Sequence, residues 1–231
     1  MLKAIILDFN GIILDDEPLH FSAMRDAVAR FGIHLTREEY WNKYLPMDDV
    51  QCLDAICSDY SIRIGDQERR IVLARKVDLY RHFLQNLYPL FPGAARFIKN
   101  AAQRYPLALA SGARREEIET TLDSAGLKRY FLVIVAAEDF TRGKPHPESF
   151  LLALKQLNTR VGSRLNPIKP EECLVIEDSV GGVQGARAAG MNCLAVSNSY
   201  PREMLRAANR IVDTLDEVQL DILSTLSGDH A

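Results

Sequence analysis

The sequence has no long hydrophobic run and no excess of positive charge. Its first apolar run, Ala4 to Leu7, ends at Asp8, which makes it too short for a signal peptide or a membrane helix. The 28 Lys and Arg residues are balanced by 31 Asp and Glu residues, and the formal charge of −3 offers no basic surface to nucleic acid or to an anionic membrane. We therefore predict a cytoplasmic protein that binds neither nucleic acid nor a membrane.

Cysteine is also scarce. The four cysteines, at positions 52, 57, 173 and 193, form no C-x-x-C pair and show no regular spacing with histidine. A zinc site and a disulfide framework are therefore disfavoured. Free, buried thiols in a reducing cytoplasm are the simpler interpretation.

The sequence does contain an alternation of short apolar runs and helix-length stretches. Nearly all-apolar runs predict strands that are covered on both faces; they are Ala4–Leu7, Leu107–Ala110, Leu132–Val135, Leu174–Ile176 and Asn192–Val196. The predicted helices between them are Ala94–Arg104, Arg115–Ala125, Pro147–Leu157 and Val180–Ala189. This alternation predicts an α/β fold with a doubly wound parallel sheet.

The stretch from residue 16 to residue 88 interrupts the alternation, because it contains at least three helical patterns and no convincing strand. The clearest pattern runs from Asp66 to Leu87, where apolar residues recur at helical spacing at positions 73, 77, 80, 84 and 87. A simple crossover connection usually needs only one helix. We therefore predict a core domain of residues 1–15 and 89–231 and an inserted all-helical domain of residues 16–88.

Two polar motifs follow the first two predicted strands. Asp8 begins the run Asp-Phe-Asn-Gly after the first strand, and Ser111 begins Ser-Gly-Ala after the second. Ligands of open α/β sheets bind beyond the carboxyl ends of the strands, and free N–H groups at a helix N-terminus bind anions. Taken alone, the first motif favours a simple turn, and Ser111 is as well explained by helix capping.

Two further motifs carry charge. Lys144 lies on a loop that two prolines stiffen, although a solvated lysine is the default interpretation. Glu177 and Asp178 come directly after a fully apolar strand, where two adjacent carboxylates are costly without a cation. A hard divalent metal with oxygen ligands suits this pair, and helix capping by Asp178 or Ser179 is the competing explanation.

All four motifs lie at the carboxyl ends of predicted strands or just beyond them, so they converge on one cleft. Together they provide a carboxylate, a hydroxyl with backbone donors, a fixed ammonium group and a metal-binding acid pair. Phosphoryl transfer needs such groups, because positioning and charge neutralisation supply most of its catalysis. The sequence therefore predicts a phosphoryl-transfer enzyme.

The four motifs, in this order, resemble the haloacid dehalogenase superfamily of phosphotransferases, and the similarity covers nearly the whole chain. The resemblance implies that Asp8 is the nucleophile, which forms an aspartyl-phosphate. It implies that Ser111 and the N–H group of Gly112 bind the phosphate, and that Lys144 is the loop lysine that neutralises its charge.

The resemblance also implies Mg²⁺ as the cofactor. Its ligands would be Asp8, Asp178 and the backbone carbonyl of Asn10, with Glu177 as a direct or water-mediated ligand. Oxygen ligands of this kind suit a hard divalent cation.

Within the superfamily, the run Asp-Glu-Pro-Leu-His that ends at His20 and the pair Arg75-Lys76 resemble the β-phosphoglucomutase-like branch and its sugar-phosphate phosphatase relatives. The helical insert resembles the small cap of that branch, which closes over the cleft and favours small substrates. Gly11 would let the backbone approach the substrate. His20 and Lys76 would reach it from the cap, although a plain helix-surface role suits His20 equally well. The family precedent favours a monomer whose partner is a small phosphorylated metabolite.

One position departs from the family pattern. The phosphatases and mutases carry a second Asp two residues after the nucleophile as general acid and base, and here that residue is Asn10. An amide cannot shuttle a proton at neutral pH. Three explanations stay open: an engineered change, a natural residue with the proton handled by water, the substrate or His20, or a degenerate binder.

A second departure lies in the predicted cap loop 45–49, where sugar mutases of this branch place an Arg for the distal phosphate. This chain has Asp48 and Asp49 there, although Arg63, Arg69 or Arg70 could substitute from nearby. The sequence therefore predicts a Mg²⁺-dependent phosphohydrolase of a small phosphorylated metabolite, with sugar phosphates as the expected class. The alternatives are β-phosphoglucomutase-type phosphoryl transfer and a non-catalytic phosphometabolite binder.

Overall fold

The computed structural model describes residues 1–45, 47–84, 89–162 and 166–223. Position 46 of the predicted cap loop and position 87 of the predicted long helix lie outside these ranges. The chain forms two compact units. We call Met1–Asp15 with Pro89–Ala231 the core unit, and Asp16–Tyr88 the helical unit.

The core unit contains a six-stranded parallel sheet in the order β3-β2-β1-β4-β5-β6. Its strands are β1 (Ala4–Leu7), β2 (Leu107–Ala110), β3 (Phe131–Val135), β4 (Cys173–Glu177), β5 (Asn192–Val196) and β6 (Arg210–Val212). From β1 the chain first builds outward to β3 and then returns to the other side of β1 with β4. The prediction of a doubly wound parallel α/β sheet is confirmed.

The helices of the chain are, in order, α1 (Glu17–Val28), α2 (Arg37–Glu39), α3 (Asp49–Asp59), α4 (Asp66–Leu84), α5 (Ala94–Ala101), α6 (Arg115–Ser124), α7 (Glu148–Arg160), α8 (Val180–Ala188) and α9 (Leu220–Leu223). A π-helical turn, Tyr40–Tyr44, follows α2 directly. The described part of the chain contains no helix that combines the length and the apolar character needed to cross a bilayer.

The sheet is buried on both faces. Ala4 and Ile6 of β1 belong to a cluster that includes Phe150 of α7. Because successive residues of a strand point to opposite faces, Ile5 and Leu7 face the other side of the sheet, and they are also fully buried. The all-apolar composition of β1 follows from this double coverage.

The predicted element bounds agree best for the interior strands. The limits of β1, β2 and β5 match the prediction, whereas β6 was missed because it is a three-residue edge strand that begins with Arg210. The predicted end of α5 at Arg104 is wrong. The helix ends at Ala101, and beyond it the N–H groups of Gln103 and Arg104 bond carbonyls three residues back and form a turn.

The helical unit has its own apolar core. The buried members of this core come from α1, α3, α4, the π-helical turn and the connecting loops, and include Met24, Val28, Tyr44, Leu53 and Ile56. α4 packs mainly against α1. In α4, Val72 and Lys76 are buried, whereas Val77 is 37% exposed. The buried ammonium of Lys76 pairs with the carboxylate of Asp49.

Candidate active site

Three acidic side chains meet at the point where the strand order of the sheet reverses. Asp8 directly follows β1, Glu177 ends β4 and Asp178 follows it, and β1 and β4 are paired neighbours. The N–H group of Asp8 donates to the carbonyl of Ile176 at 3.0 Å, which continues the strand pairing to the site. Carboxylate oxygens of Asp8, Glu177 and Asp178 lie within 4.8 Å of one another, and all three residues are buried. We call them the acid cluster.

The acid cluster carries more negative charge than its surroundings compensate. Burial raises the pKa of Asp8 to about 6, even though the nearby Lys144 ammonium opposes this shift. Burial, together with the charges of Glu177 and Asp8, also raises the pKa of Asp178 well above its ordinary value. Burial is the largest cause of both pKa shifts, and repulsion between the neighbouring carboxylates adds to it. A divalent cation would relieve this repulsion.

Lys144 is the cation that contacts the acid cluster in the structure. Its Nζ atom lies 2.7 Å from Asp8 Oδ1 and also pairs with Glu177 Oε1. Burial alone would lower the pKa of Lys144, but the carboxylates of Asp8 and Glu177 outweigh this effect and raise it. Lys144 is therefore a fixed positive charge, and the default interpretation of a solvated lysine is wrong.

Glu177 is held by the start of α8. Its Oε2 atom accepts hydrogen bonds from the N–H groups of Asp178 (3.0 Å) and Ser179 (2.9 Å) and from the Ser179 hydroxyl (2.9 Å). The Ser179 hydroxyl in turn accepts from the N–H group of Gly182 at 3.0 Å, so Ser179 is the N-cap of α8. The capping role that competed with a metal-site role belongs to Ser179, while Asp178 is a member of the acid cluster.

Gly182 leaves the space that Glu177 occupies. A Cβ atom at Gly182 would lie 1.8 Å from Glu177 Cδ, whereas one at Gly181 would meet nothing nearer than 3.8 Å. We expect Gly182→Ala to displace Glu177 and to lower the free energy of unfolding by about 1–3 kcal/mol. Urea unfolding measures this change. Gly181→Ala in the same helix is the control, and it should be neutral or stabilising by up to about 1 kcal/mol. Equal values for the two variants would contradict the steric explanation.

Ser111 and Gly112 follow β2, which pairs with β1 on the opposite side from β4. Ser111 is buried, its N–H group donates to Val135, and its hydroxyl accepts from the N–H group of Ala113 at 3.2 Å. The N-cap of α6 is Arg114, so Ser111 does not cap that helix in the simple sense. The strand register therefore brings a hydroxyl and a helix start to the same edge of the sheet as Asp8.

Asn10 and Gly11 form a tight turn after Asp8. Gly11 has a φ of +76°, and its N–H group donates to the carbonyl of Leu14 at 3.0 Å. A Cβ atom on Gly11 would lie 1.9 Å from Asp178 Oδ2. Glycine is required here both for the backbone conformation and for the close approach of the Asp178 carboxylate.

Two residues that the sequence analysis missed also contact this turn and the acid cluster. The side-chain amide of Asn198 donates to the carbonyl of Gly11 at 2.6 Å, and the hydroxyl of Ser199 donates to Asp178 Oδ2. Both residues come shortly after the carboxyl end of β5. That position was the available signal, because every other motif of the site also follows a strand of this sheet.

His20 and Lys76 lie together in the helical unit. Lys76 is 2% exposed, and its Nζ atom lies 2.7 Å from Asp49 Oδ1 and 2.6 Å from His20 Nδ1. The other ring nitrogen of His20, Nε2, lies 3.3 Å from Asp16 Oδ2. The His20 ring also stacks on Tyr80 with 4.3 Å between the ring centroids. His20 is thus part of a polar network and not a plain helix-surface residue.

Comparisons with known proteins agree with this site. A model of the haloacid dehalogenase-like hydrolases matches residues 2–190, so the resemblance predicted from the four motifs is confirmed. A crystal structure from Thermotoga maritima, described as that of a putative β-phosphoglucomutase, has a TM-score of 0.76 and 27% sequence identity. The comparison covers 97% of this chain and 99% of that one.

Two curated relatives are phosphatases. Fructose-1-phosphate phosphatase YqaB of Escherichia coli is 28% identical over 201 residues, which cover 83% of this chain and 95% of that protein. The chloroplastic 5-amino-6-(5-phospho-D-ribitylamino)uracil phosphatase of Arabidopsis thaliana is 33% identical over 162 residues, 70% of this chain and 41% of that protein. The chain spans about half or less of the length of the plant relatives it matches.

Proposed function

Because the chain belongs to the haloacid dehalogenase-like hydrolase family, we propose that it is a Mg²⁺-dependent phosphohydrolase of a small phosphorylated metabolite, of the sugar-phosphate class. The observation that carries this proposal is the acid cluster with Lys144 at the carboxyl edge of the sheet. The phosphatase names of the relatives support it. The cytoplasmic location and the monomeric state remain predictions.

The residues of the site fit a magnesium ion. Asp8, Glu177 and Asp178 offer oxygen ligands, and Lys144 supplies only one positive charge against three carboxylates. Asp8 and Asp178, with the backbone carbonyl of Asn10, would hold the ion. The oxygens of Glu177 already accept from Lys144 and from the start of α8, which favours a water-mediated role for Glu177. When bound, Mg²⁺ would neutralise charge on the phosphoryl oxygens.

The chemistry of the chain itself begins at Asp8. One carboxylate oxygen of Asp8 attacks the phosphorus in line, a bond from this oxygen to phosphorus forms, and the ester bond to the leaving alcohol breaks. Ser111, the N–H group of Gly112 and Lys144 would hold the phosphoryl oxygens. Water then attacks the phosphorus of the aspartyl-phosphate, which releases phosphate and restores Asp8. The leaving alkoxide needs one proton, and the attacking water loses one.

We propose that the helical unit acts as a cap that binds the part of the substrate beyond its phosphate. Lys76 lies in this unit, but its charge is already paired with Asp49, and Asp16 and Glu17 add further negative charge nearby. A second phosphate group would meet no net positive charge in this network. Substrates with one phosphate and a neutral polyhydroxyl part are therefore favoured, and bisphosphate-dependent mutase chemistry is disfavoured.

Asn10 favours a second candidate function, that of a phosphometabolite binder without turnover. An amide holds a substrate by hydrogen bonds but cannot carry the proton that hydrolysis requires. The two candidates share the same binding site and differ in whether a covalent bond to Asp8 forms. A direct search for phosphorylated Asp8 therefore separates them.

The test uses the full chain with Mg²⁺, a panel of hexose and pentose monophosphates, and one hexose bisphosphate. We expect slow phosphate release from at least one monophosphate and less from the bisphosphate, together with a hydroxylamine-labile phosphoprotein that intact mass reveals. Asp8→Asn is the control and should form no phosphoprotein, because it removes the attacking oxygen. Binding of a monophosphate by calorimetry without any phosphoprotein would favour the binder. If the protein neither binds a monophosphate nor becomes phosphorylated, both candidate functions are wrong.

A further inference from the structure

We propose that the segment Ser197–Ser199, directly after β5, is a positioning element of the site that holds Asp178 and the turn at Gly11 in place for a divalent cation. This inference deepens the proposed function and rests on it, since the cation is the Mg²⁺ of that proposal. The segment lies outside the four family motifs.

Two hydrogen bonds carry the inference. Asn198 Nδ2 donates to the carbonyl of Gly11 at 2.6 Å, and Ser199 Oγ donates to Asp178 Oδ2. The first bond reaches the loop after β1, and the second reaches the residue after β4. One short segment therefore joins the two loops that supply the acid cluster.

Ser199 and Gly11 together restrict the Asp178 carboxylate. Asp178 Oδ2 lies against the α-carbon of Gly11, at the place a Cβ atom would need, and the same oxygen accepts the hydrogen bond of Ser199. Rotation of the carboxylate would break the hydrogen bond. Ser199 thus selects one orientation of Asp178 in spite of the repulsion from Asp8 and Glu177.

Residues of β6 and next to it hold the segment Ser197–Ser199 in place. The N–H group of Ser197 donates to the carbonyl of Val212 at 3.0 Å, and its hydroxyl donates to Asp213 Oδ1 at 2.7 Å. Arg202 pairs with the same Asp213 carboxylate at 2.5 Å and donates to the carbonyl of Ile211 at 2.9 Å. The short strand β6 and its flanking residues therefore anchor a segment that reaches the site.

The position of Ser199 separates a positioning role from a purely structural one. Ser199 is exposed, so removing its hydroxyl leaves no buried cavity and should change metal-free stability little. Groups that orient metal ligands typically account for about 10–100-fold in metal affinity. A structural role would lower stability with and without metal alike, whereas a positioning role would change the response to the metal.

The experiment titrates Mg²⁺ alone and follows the thermal midpoint of the full chain, which rises when a ligand binds the native state. We expect Ser199→Ala to need about 10–100-fold more Mg²⁺ for half of the maximal rise. Ser199→Thr, which keeps the hydroxyl, should behave like the unchanged protein. Ser124→Ala, an exposed serine of the core unit, is the matched control. In an Asp178→Asn background, Ser199→Ala should have no further effect on the Mg²⁺ response.

Each outcome decides between the proposals. A Mg²⁺ response that is the same in Ser199→Ala and in the unchanged protein would overturn the positioning role and leave the proposed function standing. A full additional loss in the Asp178→Asn background would also overturn it, because Ser199 would then act elsewhere. If the unchanged protein shows no response to Mg²⁺, both this inference and the metal dependence of the proposed function are wrong.

Discussion

Replacing Asn10 with Asp is expected to raise the rate of sugar-phosphate hydrolysis by about 10²–10⁴-fold. The groups for nucleophilic attack and charge neutralisation, Asp8, Lys144 and Asp178, are already assembled in the structure. In the proposed mechanism, the step without a group to carry it is proton transfer to the leaving alkoxide and from the attacking water. General acid–base catalysis lowers an activation barrier by roughly 3–5 kcal/mol, which corresponds to the expected increase in rate.

The leaving group allows this explanation to be tested within one protein. Acetyl phosphate releases a carboxylate, which departs without being protonated, whereas a sugar phosphate releases an alkoxide. We therefore expect acetyl phosphate to phosphorylate Asp8 at similar rates in the two forms. The phosphoprotein should accumulate with Asn10 and turn over with Asp at this position, because the attack of water also needs a base. Intact mass against time measures both steps.

Two control variants test whether the effect of Asn10→Asp depends on its position in the site and on the Asp8 nucleophile. Asn100→Asp makes the same chemical change at an exposed position of α5 and should leave every rate unchanged. Asp8→Asn combined with Asn10→Asp should form no phosphoprotein, because the attacking oxygen is absent. If Asn10→Asp hydrolyses sugar phosphates no faster than the unchanged protein, the general acid–base explanation is wrong. Proton transfer would then have to involve another group.

Burial decides which strands can be predicted from the sequence. Strands β1 and β5, covered on both faces, are almost entirely apolar, and their limits could be identified from composition alone. The edge strand β6 has a charged first residue and only three positions, so it leaves no periodic signal. Hydropathy likewise does not reveal that Lys76 of α4 is buried as an ion pair with Asp49.

In the site, too, some residues can be recognised from their sequence neighbours, whereas others can be recognised only from a contact in the folded protein. Glu177 and Asp178 stand out in the sequence because they follow an apolar run. Lys144 stands out because it lies in a loop with two prolines. Ser199 has no such context, and its role depends on a hydrogen bond to a residue 21 positions away. The pairing of Lys76 with Asp49 likewise spans 27 positions. Residues that act through a partner become visible only when the partner's position is known.

Lys144 connects the chemistry of the site to the stability of the fold. It is the one cation that contacts both Asp8 and Glu177 among the described residues. Removing one partner of a buried ion pair typically costs about 3–5 kcal/mol, because the other partner stays buried without compensation. We expect Lys144→Met to lower the free energy of unfolding of the metal-free protein by this amount and to abolish phosphorylation of Asp8. Urea unfolding and intact mass measure the two effects.

The cause of the stability loss in Lys144→Met can be identified from the conditions that make this loss smaller. With Lys144→Met combined with Glu177→Gln, one carboxylate charge disappears with the ammonium, so much of the lost stability should return. Lower pH should also reduce the loss, because protonation of the acid cluster removes the charges that lack a partner, and Mg²⁺ should reduce it by supplying positive charge. Lys155→Met, at an exposed position of α7, should change stability by no more than about 0.5 kcal/mol. A loss for Lys144→Met that is independent of pH, of Mg²⁺ and of Glu177→Gln would mean that the packing of the lysine side chain, and not its charge, stabilises the site.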